Sequence, residues 1–577
     1  MTLLKVWAPK AEKVVLECAG SQTPMLRRED DWWTVETGSL AHGVDYAFHV
    51  DGEGPFPDPR SPWQPLGVHG ASRWVEHDSF EWSDAGWRAP PLAAAVIAEI
   101  HVGTFTAEGS FDAVIDKLDH LVDLGITHLE LMPVQEFPGE RGWGYDGVDL
   151  FAPHHAYGGP DALKRLVDAC HHRGLAVLLD VVYNHLGPDG NYLGRFGPYF
   201  TDAYSTPWGD AVNLDQAHSD EVRRFFVDNA LMWLRDYHFD GLRIDAVHAI
   251  VDTSAVHLLE ALSNEVRRLE SRVGRNLALI AESDLNDPRL IRPVEIGGYG
   301  LDAQWNEDFH HALHAVLTGE SAGYYADFGK LEHLATVLTR GFVYDGRYSC
   351  YRKRAHGRPA HDLPGRRFVG CLQNHDQVGN RATGERSSHL LSPGLLKVGA
   401  ALVLTAPFVP MLFQGEEWAA TSPFLYFTDH DDPELAAAVR DGRREEFTAF
   451  GWDPDNIPDP QSPDTFERSR LDWDEPAREP HAEMLEWYRS LVHLRRSHPA
   501  FADDRLDLVQ ARFDEERRCI TVLRPGLCTA CNLGTETQTL ELPPDVSGRP
   551  VRLGSSPGVR LQGNRLSLPG ESAAVIA

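Results

Sequence analysis

The sequence predicts an α/β protein: a closed (β/α)8 TIM barrel with an N-terminal β-sandwich before it and a C-terminal antiparallel β-domain after it. Three observations carry this. Eight short apolar runs recur through the middle of the 577-residue chain, with helical patterns between them. Short alternating strands fill the first 90 residues, and a second alternating set begins near residue 501. A chain of this length exceeds one ordinary core, so several domains are expected.

The first domain is expected at 1–90, from LLKVWAP, KVVLECAG, DWWTVETG and DYAFHVDG separated by polar turns. The Pro-rich stretch GPFPDPRSPWQP then excludes regular helix and central strand. The barrel is expected at 91–499. Its strand candidates are VIAEIHVG, THLELMPV, LAVLLDVV, GLRIDAV, LALIAES, LDAQWN, FVGCLQN and VPMLFQG. Each is an apolar run short enough for a buried parallel strand, and Leu258, Leu259, Leu262, Val266 and Leu269 show the helical spacing between them. Eight such units predict right-handed closure. The Asp- and Pro-rich segment 421–480 is too long for an ordinary connection and reads as a functional loop or small subdomain. Residues 500–577 alternate again (LDLVQARF, CITVLRP, TQTLELP, RLSLPG) and form the terminal β-domain.

Composition narrows the partners. The formal net charge is −32, which disfavours phosphate backbones and anionic lipid but not a neutral sugar. No nucleic acid or membrane partner is expected. The first residues lack a secretory pattern and no stretch of 18 apolar residues occurs. Seven cysteines, an odd number in a long chain, point to a reducing, cytoplasmic setting. The lone CxxC at 528–531 has no second pair or nearby His and is a weak redox or zinc signal.

The chemistry lies in acids that end separate strands: Asp180, Asp245, Glu282 and Asp376. In such barrels these ends form the reactive rim. Retaining cleavage of a glycosidic bond needs a nucleophilic carboxylate and a proton-donating carboxyl roughly 5–5.5 Å apart. Asp245 and Glu282 end the fourth and fifth strands, and adjacent strands lie about 4.8 Å apart. Arg243, two residues before Asp245, points the same way and keeps it ionised. Glu282, in a drier setting among acids, holds its proton and serves as acid, then base. Asp376 holds sugar hydroxyls and favours the cationic transition state. The bland alternative, acids that only pair with Arg or cap helices, stays open for Asp180 alone.

DVVYNH at 180–185, GLRIDAVH at 241–248, AESD at 281–284 and QNHDQ at 373–377 resemble the four signature segments of the α-amylase superfamily. The resemblance implies Asp245 as nucleophile, Glu282 as acid/base and Asp376 as transition-state stabiliser. It also implies His185 and His375 as sugar contacts, Arg243 as support for the nucleophile and Asp180 as a supporting acid. His248 and Gln377, in the same motifs, and Asn380, three residues beyond the last of them, are further expected contacts.

RGWGYDGV at 141–148, AQWNEDFHHALHAVLTGE at 303–320 and HDQVGNR at 375–381 resemble a trehalose-releasing branch of that superfamily. That implies maltooligosyl trehalose as substrate, cut at the α-1,4 bond beside its terminal α,α-1,1-linked disaccharide. The rivals are a glucan-branching transferase with the same acids and a non-catalytic glucan-binding scaffold. Trp143, Tyr145 and Trp305 are candidate stacking faces. The two tryptophans are each more often core, whereas Tyr145 sits in a polar loop. Asn306, Asp308 and His310 offer groups for a sugar, and Asn306 with its neighbouring acids reads equally as a capped helix start. Amylases often hold calcium beside the position of Asn184. The segment after His185 is short and poor in acids, so no required metal is expected, and no cofactor. The pairs His171–His172 and His310–His311 lack further ligands and read as helix surface or sugar contacts.

Overall fold

Eight parallel strands close on themselves: β1 Ile97–Ile100, β2 His128–Leu131, β3 Ala176–Val181, β4 Gly241–Ile244, β5 Ala278–Ala281, β6 Ala303–Trp305, β7 Phe368–Cys371 and β8 Val409–Phe413. The computed structural model describes residues 2–206, 208–449, 457–546 and 548–577. Each strand falls inside one of the eight apolar runs read from the sequence. β8 pairs back onto β1, with Met411 opposite Ile97 and Phe413 opposite Glu99.

Apart from Ala278 at the mouth of β5, every strand residue is buried. That explains the near-continuous apolar composition, since a parallel strand here is covered by side chains on one face and helices on the other. The helix Leu258–Val273 shows how the outer layer is held. It buries Leu258, Leu259, Leu262, Val266 and Leu269 on one stripe, the spacing that a helix packed on one side requires.

Register aligns the reactive rim. Ile244 of β4 pairs with Ala281 of β5, so the next residues, Asp245 and Glu282, leave their strands side by side. Asp180 of β3 pairs with Arg243 of β4, which turns their side chains to the same wall.

Two small antiparallel sheets precede the barrel. One orders Thr2–Trp7, Trp32–Thr37 and Leu26–Arg27; the other centres on Val14–Cys18 and Asp45–Val50. The start of the Pro-rich stretch enters the second sheet only as its edge, Glu53–Phe56, where a missing N–H is tolerated. Beyond the helix His481–Ser497 lie a five-stranded sheet (Gln510–Asp514 through Ser572–Ile576) and a three-stranded one. Cys528 and Cys531 lie within one buried strand of the former, and all seven cysteines are free. In the segment 421–480, helices Pro433–Ala449 and Pro463–Arg468 are described, while 450–456 lie outside the described residues. Among the described residues no helix is long and apolar enough to cross a membrane.

Candidate active site

A single guanidinium organises the rim. Arg243, fully buried, donates from Nη1 to Asp180 at 2.9 and 2.7 Å and to Asp245 Oδ1 at 2.8 Å. Its Nη2 lies 3.6 Å from Glu282 Oε2. The indole of Trp305 lies under the guanidinium, 4.1 Å from its carbon, a cation–π contact that holds the cation in place.

Asp245 is tied at both oxygens. Arg243 binds Oδ1, and Asn184 Nδ2 donates to Oδ2 at 2.8 Å. Glu282 Oε2 accepts the amide of Ala246 at 2.5 Å. Both carboxyls keep about an eighth of their surface open, 13% each, so they stay reachable. Burial, with Asp245 and Asp376 adding to it against the pull of Arg243, pushes the Glu282 carboxyl up to about 7. One cation shared among three acids thus leaves Glu282 holding a proton near neutrality.

Asp376 opens the short helix His375–Gly379, capped by Asn374, whose side chain accepts from Gln377 N. Its side chain is 39% exposed and accepts from Asn380 Nδ2 at 3.1 Å. It stands over the cleft as the most open of the three acids.

A buried chain of hydrogen bonds runs behind them. Glu99 of β1 takes the His375 ring at Nδ1 (2.5 Å) and its backbone amide (3.0 Å). The other ring nitrogen lies 2.7 Å from the Tyr145 hydroxyl, which donates to Asp180 Oδ2 at 2.7 Å. Burial alone lowers the basicity of His375, but Glu99 and Asp376 outweigh it and push it up to about 9. His375 therefore donates from both nitrogens. Tyr145 reaches in because Gly144 turns at φ +96°, where a Cβ would lie 2.2 Å from Pro133 O; only glycine fits.

Several residues expected from the sequence as sugar contacts are buried and have protein partners. Trp143 is buried, stacks on Phe424 and donates to Leu425 O. It packs so closely on Gly379 that a Cβ there would meet it at 2.0 Å. Trp305 is buried beneath Arg243. Asn306 caps the helix Glu307–Thr318 by accepting from Phe309 N and donates to Gly341 O. Asp308 accepts the amides of Val343 and Tyr344 and the Asn286 side chain. His310 is buried against His314 and Tyr325, and burial holds it well below the usual imidazole range. His375 is buried with both nitrogens committed to protein. These polar types pointed outward by composition, but distant segments supply their partners. His171 likewise is no surface residue: it is buried between Asp84 and Asp240, 2.9 Å from each.

Tyr145, His185, His248, Gln377 and Asn380 differ in how far they are open. His248 and Asn380 are exposed and Gln377 half-buried, its Nε2 donating to Glu307 at 2.9 Å. His185 is nearly buried and stacks flat on Trp208, 4.2 Å between centroids. Trp208, half exposed, was not singled out from the sequence. Nor was Glu307, pushed up to about 8 by burial and by Glu282 and Asp376, nor Glu99. An acid inside the apolar run VIAEIHVG was the available signal for Glu99, because that parity faces the barrel interior.

Residues 75–199 match the model of the alpha amylase catalytic domain. On a closed barrel with acids beyond its strand ends, that match places the protein among glycoside hydrolases of the alpha-amylase type. A malto-oligosyltrehalose trehalohydrolase from Arthrobacter ramosus is 54% identical over 532 residues, covering 90% of this chain and 92% of its own. One from Rhizobium sp. (strain M-11) is 49% identical across 99% of this chain and 97% of its own. The chain belongs to the malto-oligosyltrehalose trehalohydrolase family. A crystal structure from Salmonella typhimurium, described as a candidate alpha amylase, superposes with a TM-score of 0.92 at 39% identity, covering all of this chain and 97% of the other.

Proposed function

We propose that the chain hydrolyses the α-1,4 bond beside the terminal trehalose unit of maltooligosyl trehalose, with retention, through a covalent intermediate on Asp245. The observation that carries the assignment of roles is the shared guanidinium: Arg243 touches Asp245 at 2.8 Å and stands 3.6 Å from Glu282. It stabilises a charge on Asp245, while Glu282, pushed up to about 7, holds the proton.

In the first step Glu282 gives its proton to the glycosidic oxygen as an Asp245 oxygen attacks the anomeric carbon. The carbon–oxygen bond to trehalose breaks and trehalose leaves with the proton. In the second step water attacks the same carbon, gives a proton to the Glu282 carboxylate and releases the maltooligosaccharide from Asp245. Asp376, open to the cleft, binds the ring undergoing substitution. Asp180, Tyr145, His375 and Glu99 are positioning residues that hold Arg243 and the wall of the site. Trp208 offers an exposed flat face for a sugar ring.

The substrate is neutral, in keeping with a chain of net charge −32. The cytoplasm is the proposed setting, supported by seven free cysteines. Incubation with maltooligosyl trehalose and, separately, with amylose tests the proposal. Free trehalose from the first is expected; α-1,6 branches in amylose without trehalose would overturn it.

A further inference from the structure

Outside the catalytic rim, Glu136, His154 and His155 bring three potential ligand atoms within 4.8 Å of one another. Glu136 and His154 are completely buried and His155 keeps a solvent-facing edge. Glu136 lies in a two-residue strand, Gln135–Glu136, paired antiparallel with Asp149–Pro153; the two histidines follow directly. The pairing therefore brings both ends of the segment 137–153 to one point.

Ordinary hydrogen bonding accounts for only half of this cluster. Glu136 accepts from the His155 amide at 2.7 Å and from its Nδ1 at 2.6 Å. His154 Nε2 has no hydrogen-bond partner, and its Nδ1 is left with a single long contact. Its ring is stacked flat on Phe137, 3.7 Å between centroids, and its Nδ1 lies 3.4 Å from Glu136 Oε1 without hydrogen-bond geometry. A fully buried imidazole whose Nε2 has no partner and whose Nδ1 has only a long contact to a carboxylate is costly. Aimed at a carboxylate, it is the arrangement of a ligand awaiting a cation.

We propose that Glu136, His154 and His155 form a binding site for one divalent transition-metal ion of the zinc class. Two imidazoles and a carboxylate are a ligand set that zinc takes, with a fourth position left for water. Ligand atoms around a tetrahedral zinc stand about 3.4 Å apart by its bond lengths. The His154–Glu136 separation already meets that spacing. His155 Nδ1 must move back by under about 1 Å and release the proton it shares with Glu136. Calcium and magnesium, which want mostly oxygen donors, fit poorly.

The ion would clasp the base of the loop that carries Tyr145, so the site braces that loop without touching the reacting atoms. The neighbouring histidine pairs do not share this geometry. His171 already has an aspartate on each nitrogen, and His310 and His311 pack against tyrosines.

The test is zinc titration of the chelator-stripped full-length protein by calorimetry, with bound metal counted by atomic absorption and thermal melts run in parallel. Wild type is expected to take up a single zinc ion per chain, with proton release and a raised Tm. His154→Phe keeps the stack on Phe137 and removes a ligand; Glu136→Gln removes the charge. Each should weaken binding by roughly 100-fold or more and abolish the zinc-dependent rise in Tm. His155→Asn, at the partly exposed position, should do the same in a chain whose fold is least disturbed. Absence of stoichiometric zinc on wild type, or zinc binding by His154→Phe and His155→Asn as tight as that of wild type, would overturn the proposal.

Discussion

Arg243 and Asp245, two residues apart at the end of β4, are joined by a 2.8 Å hydrogen bond from Nη1 to Oδ1. The same nitrogen binds Asp180, and Nη2 faces Glu282 at 3.6 Å. The geometry makes one buried cation responsible for several acids. Removing it should leave uncompensated buried charge, which costs about 3–5 kcal/mol. Arg243→Met is therefore expected to lower the urea midpoint sharply and to abolish turnover. A variant with wild-type stability would show that the acids do not depend on the guanidinium.

The Glu282 carboxyl, raised from the ordinary 4.5 to about 7, predicts the alkaline limb of the pH profile. The acid must be protonated to assist departure of the leaving group. It is protonated below about 7 and loses its proton as pH rises through that value, so kcat/KM should fall there. Glu282→Gln should show a low, flat profile across that range. A wild-type profile unchanged to pH 9 would remove Glu282 from the acid role.

Tyr145 links two walls of the site by its hydroxyl, 2.7 Å from both Asp180 and His375. Tyr145→Phe deletes hydrogen bonds to charged partners, worth about 1.5–3 kcal/mol, or roughly 10–100-fold in rate. A positioning role lowers kcat more than it raises KM. A rise in KM alone would mark Tyr145 as a direct sugar contact only.

Trp143 separates scaffold from substrate contact. Buried against Phe424 and Gly379, it should cost about 3–5 kcal/mol when cut to alanine, read as a lower urea midpoint. Trp143→Phe, which keeps most of the packing, should leave KM within about twofold. A large rise in KM in this stable variant would return Trp143 to the sugar.

The barrel was readable because its signal is repeated and local. Each strand is a short apolar run, and each reactive acid stands just past one. Register, which sets Asp245 beside Glu282, follows once the strands are placed. Less legible is AQWNEDFHHALH at 303–314. Its polar composition suggests a ligand surface, yet the backbone of Gly341, Val343 and Tyr344 satisfies Asn306 and Asp308. Partners more than 30 residues away leave no mark in a local pattern. Trp208 escaped notice for the converse reason: its exposure depends on how the hairpin Phe200–Thr206 and Gly209–Val212 stands over His185.

Retaining hydrolysis frees trehalose as the maltooligosaccharide becomes bound to Asp245, and then releases that maltooligosaccharide to water. Proton NMR of the first minutes of reaction with maltooligosyl trehalose reads bond and stereochemistry together. Free trehalose is expected, with a new reducing end that appears first as the α-anomer and then mutarotates. A β-anomer appearing first, or cleavage without free trehalose, would contradict it.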